Sequence, residues 1–231
     1  MRSKDFSDQK PAVEFPADCP FEDVEVVYGG HPLRYRKAAN LDSLLDELAG
    51  LPNHHPAVCD ERLPYWAEAW PSSLAMAEYI LSAETLPDGG WLELGCGPGL
   101  AGVAAGVRGS DGDFSDYMQE AVDLALINWD MNVDRVGKGY SLDWRNPPSD
   151  RRYSWIIASD VAYEKRNFAP ILVCFEQLLA GGGEIWLAEP GRPIATSFWT
   201  ELRQAGWVRE ILEERNGLTI NRLTRRLIPA D

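Results

Sequence analysis

Cysteine is scarce and scattered, with four residues, Cys19, Cys59, Cys96 and Cys174, and no Cys-x-x-Cys pair. That excludes a disulfide framework or a zinc knuckle and fits reduced thiols used for packing. Long apolar runs are missing as well. No stretch approaches the roughly 18 apolar residues of a membrane span, and the opening Met1-Arg2-Ser3-Lys4-Asp5-Phe6 lacks the apolar core of a signal peptide. The expectation is a soluble, cytoplasmic protein with no membrane partner. Positive charge is in deficit: 22 Lys and Arg stand against 36 Asp and Glu, a net −14. Such a field repels phosphate backbones and anionic lipid, which argues against nucleic acid as the primary ligand and favours cations or basic partners. The one grouping with metal-ligand chemistry, His54, His55, Cys59 and Asp60, is interrupted by Pro56. Adjacent histidines point apart on most backbones, so it reads as a polar loop and no metal is expected.

What remains is an ordinary globular composition, 231 residues with 45% hydrophobic and 25% charged. Residues 1–40 read as a proline-bearing arm followed by a hairpin around Gly29-Gly30, and residues 41–231 as the main domain. A short helix at Leu41–Leu48 closes at Gly50 and Pro52. From Pro71 onward helices and strands alternate. The predicted strands are Trp91–Leu94, Asp111–Asp116, Tyr140–Trp144, Tyr153–Ser159 and Glu184–Ala188. Between them fall helices with apolar stripes, among them Leu74, Ala77 and Leu81; Met118, Ala121, Val122, Ala125 and Trp129; and Phe168 through Leu179, closed by Gly181-Gly182-Gly183. A last helix near 193–205 is capped by Gly206, and Trp207–Leu212 and Leu218–Arg225 then flank an Asn216-Gly217 turn with no helix between. Such alternation predicts an α/β, doubly wound, Rossmann-like seven-stranded sheet, mostly parallel, with an antiparallel closing hairpin.

Glu93-Leu94-Gly95-Cys96-Gly97-Pro98-Gly99-Leu100-Ala101-Gly102 is the most informative stretch. Between a strand and a helix, glycines let backbone approach a ligand closely, and the free N–H groups of the helix start form a polar cradle. Gly97-x-Gly99-x-x-Gly102 satisfies the dinucleotide fingerprint, which alone is weak. The whole run also satisfies the acidic-x-Gly-x-Gly-x-Gly turn of S-adenosylmethionine enzymes. An acid at Glu93 repels a pyrophosphate but suits a cationic methionine moiety, and Cys96 fits the same pattern. Asp116, at the end of the next predicted strand, is placed to accept hydrogen bonds from both ribose hydroxyls.

With Pro64-Tyr65-Trp66-Ala67-Glu68-Ala69-Trp70-Pro71-Ser72-Ser73-Leu74-Ala75, the Glu93–Gly99 turn, Asp143-Trp144 and Ser159-Asp160-Val161-Ala162-Tyr163, the chain resembles the seven-β-strand protein lysine methyltransferases with an Asp-x-x-Tyr motif. That group includes the electron-transfer flavoprotein β-subunit lysine methyltransferase, and the similarity covers roughly residues 40–210. The resemblance implies S-adenosylmethionine as cofactor, S-adenosylhomocysteine as product, and a protein substrate with an accessible lysine. It implies that Trp70 and the Pro-Ser-Ser after it cover the methionine end, and that Asp143 and Trp144 contact adenine. Gly95, Gly97, Gly99 and Ser159 line the rest of the cofactor site, and Asp160 and Tyr163 face the methyl as the catalytic pair.

Asp160 can orient an incoming ammonium, and Tyr163 can add a hydroxyl and an aromatic face. Arg192, in Glu189-Pro190-Gly191-Arg192-Pro193, either touches substrate, ties down Asp160, or is a surface loop residue. Three other functions fit the same chain: methylation of a small amine or another acceptor, cofactor binding without catalysis, and a NAD-linked oxidoreductase. The last leaves Asp160-x-x-Tyr163 and the closing hairpin unexplained.

Overall fold

A computed structural model describes residues 21–55, 58 and 63–226. The predicted arm at 1–20, together with Cys19, Cys59 and Asp60, lies outside the described residues. The chain opens with two strands, β1 (Phe21–Tyr28) and β2 (His31–Ala38), paired antiparallel from Phe21↔Ala38 to Tyr28↔His31. Gly29 and Gly30 both adopt positive φ, 56° and 82°, as a tight turn between right-twisted strands requires. Helix α1 (Leu41–Ala49) follows. A single 3-10 turn at Pro64–Ala67 then leads into α2 (Pro71–Ser82), which has Pro71 in its first turn, where a missing N–H costs nothing.

The main sheet is built from β3 (Trp91–Leu94), β4 (Gly112–Asp116), β5 (Gly139–Ser141), β6 (Tyr153–Ser159), β7 (Leu179–Glu189), β8 (Trp207–Arg215) and β9 (Leu218–Arg225). Its order is β5-β4-β3-β6-β7-β9-β8, with β9 antiparallel to both neighbours and the other pairs parallel. The predicted seven strands and closing hairpin are therefore present. Helices α3 (Leu100–Val107), α4 (Gln119–Asp130), α5 (Phe168–Leu178) and α6 (Ala195–Gln204) cover the two faces.

Side-chain alternation sorts the core. Trp91, Phe114, Trp155, Ile157 and Trp186 face α2, α3 and α4, whereas Leu92, Leu94, Ile156, Ala158 and Leu187 face α5 and α6. Burial on both faces explains why β3 and β6 read as near-continuous apolar runs. Each fully buried large apolar side chain contributes roughly 1.5–3 kcal/mol. Helix α3 comes close because Gly102 and Gly106 have no side chain: a Cβ at Gly106 would lie 2.3 Å from the Trp129 ring.

The α2 face is broader than its predicted stripe, since Ser72, Ser73, Met76 and Ile80 are buried beside Ala77 and Leu81 while Leu74 is only partly covered. Several boundaries also differ from the sequence reading, among them the end of β5 and the start of β7. Strand β5 stops at Ser141, so Asp143-Trp144 is not strand. The Leu142 N–H still reaches Asp116 O at 2.7 Å, but the Asp143 carboxylate then accepts the Arg145 N–H at 2.9 Å and turns the chain. Strand β7 begins at Leu179, which was assigned to the preceding helix, because that residue is already extended (φ −80°, ψ 131°) and pairs with Tyr153.

Helix α4 and the turn that follows it bind the hairpin through two asparagines four residues apart. Asn128 accepts the Arg36 N–H at 2.6 Å and donates to Arg36 O at 3.1 Å, and Asn132 does the same for Arg34 at 2.9 and 2.6 Å. Side-chain amides thus replace a strand along β2. Among the described residues no helix is long and apolar enough to cross a membrane, and no group of three or more His, Cys, Asp or Glu could hold a metal.

Candidate active site at the carboxyl edge of the sheet

The ends of β3, β4, β5, β6 and β7 meet at one edge, where open α/β sheets place their ligands. After Leu94 the chain turns through Gly95, Gly97 and Gly99 at φ 68°, 50° and 75°, each in the left-handed region. Space is as demanding as conformation. A Cβ on Gly95 would lie 3.0 Å from the Trp144 ring and 3.1 Å from Val161, and one on Gly97 would lie 3.2 Å from Trp66 O. The loop is thus held between the segments after β5 and β6 and beneath the Pro64–Ala67 turn. Trp70 belongs to that cover: its Nε1–H donates to Tyr65 O at 2.8 Å, and its ring meets Tyr65 edge-on at 5.8 Å.

Two acids brace the loop. Asp116 ends β4, and its carboxylate accepts the N–H groups of Gly97 at 3.0 Å and Met118 at 3.1 Å, one on each oxygen. Burial raises its pKa, opposed by those same N–H groups. Each oxygen keeps a lone pair for a further donor such as a ribose hydroxyl.

Glu93 departs from its sequence reading. It is 1% exposed, and its Oε2 accepts the Gly102 N–H at 2.8 Å, under the start of α3. Burial pushes its pKa up to about 8, so it is largely uncharged at neutral pH. The carboxyl expected to face a cationic cofactor thus lies beneath the loop and shapes it, because a β3 side chain on this face points into the core. Cys96 is buried as well, and burial together with Asp116 and Glu93 pushes its thiol well above the ordinary range, which makes it a packing residue.

On the other flank, Asp143 is not free to meet a ligand alone. Arg145 grips its carboxylate with Nε and a terminal nitrogen at 2.8 Å each and holds its pKa below the usual range, while the guanidinium stands 5.6 Å over Tyr117. Sequence reasoning did not single out Arg145 or Tyr117. Trp144 presents its ring to Gly95, and its buried Nε1–H has no partner among the described residues. The Ser159 hydroxyl, buried at the end of β6, lacks one too.

Asp160 follows at φ 55°, an unusual backbone for a non-glycine residue, with its N–H on Ala188 O at 2.9 Å. Its carboxylate is gripped by Arg192, Nε to Oδ1 at 2.6 Å and a terminal nitrogen to Oδ2 at 2.7 Å. Of the three readings of Arg192, the geometry selects the tie to Asp160. Tyr163 is 38% exposed at the same edge. Its hydroxyl is pushed up to about 12, first by burial and then by Glu164, Asp116 and Asp160.

The edge fits a nucleoside-bearing cofactor. It offers a glycine cradle with no room for side chains, a braced carboxylate with spare lone pairs, and two orphaned polar groups, Trp144 Nε1–H and Ser159 Oγ. Two surface clefts, of about 670 and 620 Å³, lie away from it, one lined by Ala180–Gly183 and Pro87 and the other by Trp199 and Trp207.

Comparison with known proteins agrees with this geometry. Residues 66–204 match the model of a family described as lysine methyltransferase. A protein-lysine N-methyltransferase, rrg1, of Schizosaccharomyces pombe is 30% identical over 141 residues, 53% of this chain and 46% of that protein. The histone-arginine methyltransferase METTL23 of Rattus norvegicus is 25% identical over 175 residues, 68% of this chain and 71% of the relative. Against rrg1, as against the METTL21E proteins, the chain spans about half the length of the curated relative. Among solved structures, the glycopeptide N-methyltransferase MtfA superposes with a TM-score of 0.54 at 10% identity, over 76% of this chain and all of that one. A TehB-like S-adenosylmethionine-dependent methyltransferase of Corynebacterium glutamicum also gives 0.54, at 14% identity, over 74% of this chain and all of its own. On its glycine loop, its seven-stranded class I methyltransferase sheet and the match over residues 66–204, the chain belongs to the S-adenosylmethionine-dependent lysine methyltransferase family.

Proposed function

We propose that the protein transfers a methyl group from S-adenosylmethionine to the ε-amine of a lysine in a protein substrate. The observation that carries this reading is the placement of Asp160 and Tyr163 beside the glycine loop, with Val161 between them packed against Gly95. Gly95, Gly97 and Gly99 with Asp116 would hold the nucleoside and methionine backbone, and Trp144 and Ser159 have unpaired polar groups to offer it. Trp70 covers the loop, and Glu93 acts through the loop it supports. Asp143 would meet the adenine amine while sharing its carboxylate with Arg145.

When bound, S-adenosylmethionine supplies an electrophilic methyl on a sulfonium. The protein has then to align an amine lone pair and exclude water. Asp160, held in a fixed direction by Arg192, accepts a hydrogen bond from the incoming amine and orients it. Tyr163 contributes an O–H and a ring face for a cation. Because its hydroxyl is protonated at neutral pH, it is not the base, and the amine loses its proton to water.

The test is incubation of the purified protein with tritiated S-adenosylmethionine and a cell extract, followed by acid hydrolysis of the labelled proteins. Methyllysine is expected. Asp160→Ala should keep S-adenosylhomocysteine binding by calorimetry and lose at least tenfold in labelling. A labelled small molecule with no labelled protein, or methylarginine alone, would overturn the proposal.

A further inference from the structure

Asp160 and Arg192 each sit on a hydrogen-bonded backbone, the first through its own N–H on Ala188 O and the second through its N–H on the Glu189 carboxylate. The Asp160 side chain is 9% exposed and that of Arg192 40%. The rim loop that carries Arg192 is folded around Glu189, whose buried carboxylate accepts the N–H groups of Gly191 at 2.9 Å and Arg192 at 2.8 Å. Gly191 turns at φ 86° where a Cβ would lie 2.8 Å from Gly217 O, so the loop docks on the closing hairpin. Sequence elements from β6, β7 and the β8–β9 turn thus converge to place a guanidinium on one carboxylate.

Resting on the lysine reading above, we infer that Arg192 is a positioning residue that offsets the field of Asp160, so that an amine docked against Asp160 sheds its proton more readily than beside a bare carboxylate. The physical problem is specific to an ε-amine. A carboxylate within about 4–6 Å stabilises the ammonium form and raises its pKa, typically by 1–3 units. An ammonium has no lone pair to attack with, so tight ionic capture by Asp160 would bind the acceptor and stall it. The guanidinium returns the pair to neutrality while leaving the carboxylate oxygens as hydrogen-bond acceptors. Other charged groups face this point: Glu189 beneath Arg192, Glu164 beside Tyr163 and bonded to Arg166 at 2.5 Å, and Asp116 from β4. They leave the neighbourhood net acidic without Arg192. The released proton passes to water.

The consequence is a split between capture and turnover. The probe is whole-cell extract protein at a series of dilutions with tritiated S-adenosylmethionine, read as methyllysine from pH 6.5 to 9.5. Arg192→Gln keeps a donor toward Asp160 but no charge. It should leave the half-saturating extract concentration unchanged or lower it, cut the maximal rate about tenfold at pH 7.5, and move the acid limb of the rate profile up by about one unit, so that the deficit closes toward pH 9.5. Arg192→Lys keeps the charge and should retain the wild-type limb. Thermal unfolding and S-adenosylhomocysteine binding check that both variants are folded; if Arg192→Gln is not, Arg192→Met takes its place. A limb that stays put while the half-saturating concentration rises would show a merely structural tie and overturn the inference. Absence of methyllysine with the wild-type protein would overturn the lysine reading and the inference with it.

Discussion

Glu93→Gln isolates the cost of burying an acid under the glycine loop. In the folded protein this carboxyl titrates at about 8, against 4.5 ordinarily, and the leading cause is burial. Below pH 4.5 both folded and unfolded chains hold the proton, and the group costs nothing. Between 4.5 and 8 the unfolded chain releases it and the folded one does not, so stability falls as pH rises, flattening above 8. From pH 5 to 8 the loss is on the order of 3 kcal/mol. Glutamine keeps the acceptor for the Gly102 N–H, now at 2.8 Å, and has no proton to lose. The two proteins should therefore be of similar stability at pH 5, and the variant should be more stable by about 3 kcal/mol at pH 8, or roughly 1 M in urea midpoint at a common slope. Asp116, raised by burial too, leaves a shallower slope in the variant. Urea unfolding at pH 5, 6, 7 and 8 reads this directly. Parallel curves, within 1 kcal/mol of each other across the range, would show that Glu93 is not the buried acid described here.

Asn128→Ala removes bonds to Arg36 and to Pro98 O at 2.8 Å, leaving buried backbone groups unpaired at a cost of about 2–4 kcal/mol. Hydrogen exchange should speed up along Phe21–Ala38 and at the glycine loop while β6 is unchanged; uniform acceleration would mean that the asparagine supports the whole fold rather than the hairpin. Gly99→Ala puts a Cβ 2.5 Å from that of Ala125 at φ 75°, which should cost about 2–4 kcal/mol and lower Tm by roughly 5–10 °C. A Tm within 2 °C of wild type would contradict the packing given to that turn.

Much of this was legible in the chain because it is local. Gly29-Gly30 and Asn216-Gly217 announce their hairpins, Pro71 starts a helix, and the run from Glu93 to Gly102 marks a strand, a loop and a helix that together approach a ligand. Doubly buried strands also declare themselves, since Tyr153–Ser159 has no polar face to hide. The family motif placed Asp160 and Tyr163 on one edge before any coordinates. The pattern misled at Asp143, where a short-range bond from Arg145 to its carboxylate turns the chain, and at Leu179, where long-range pairing with Tyr153 replaces another residue of helix.

Only the tertiary structure decided which groups keep their charge and which share it. Glu93 and Asp116 are acids on the same face of the sheet, yet Glu93 is sealed beneath the start of α3 and largely neutral while Asp116, the last residue of β4, braces Gly97 at the rim; the difference is how far along its strand each side chain stands. Asp160 and Arg192 are 32 residues apart and become an ion pair because parallel strands β6 and β7 lie side by side. Sequence fixes the residues available to an edge, since periodicity and turn chemistry act within a few positions. Strand order fixes their dielectric surroundings and partners, and those set whether a carboxyl supports, binds or orients.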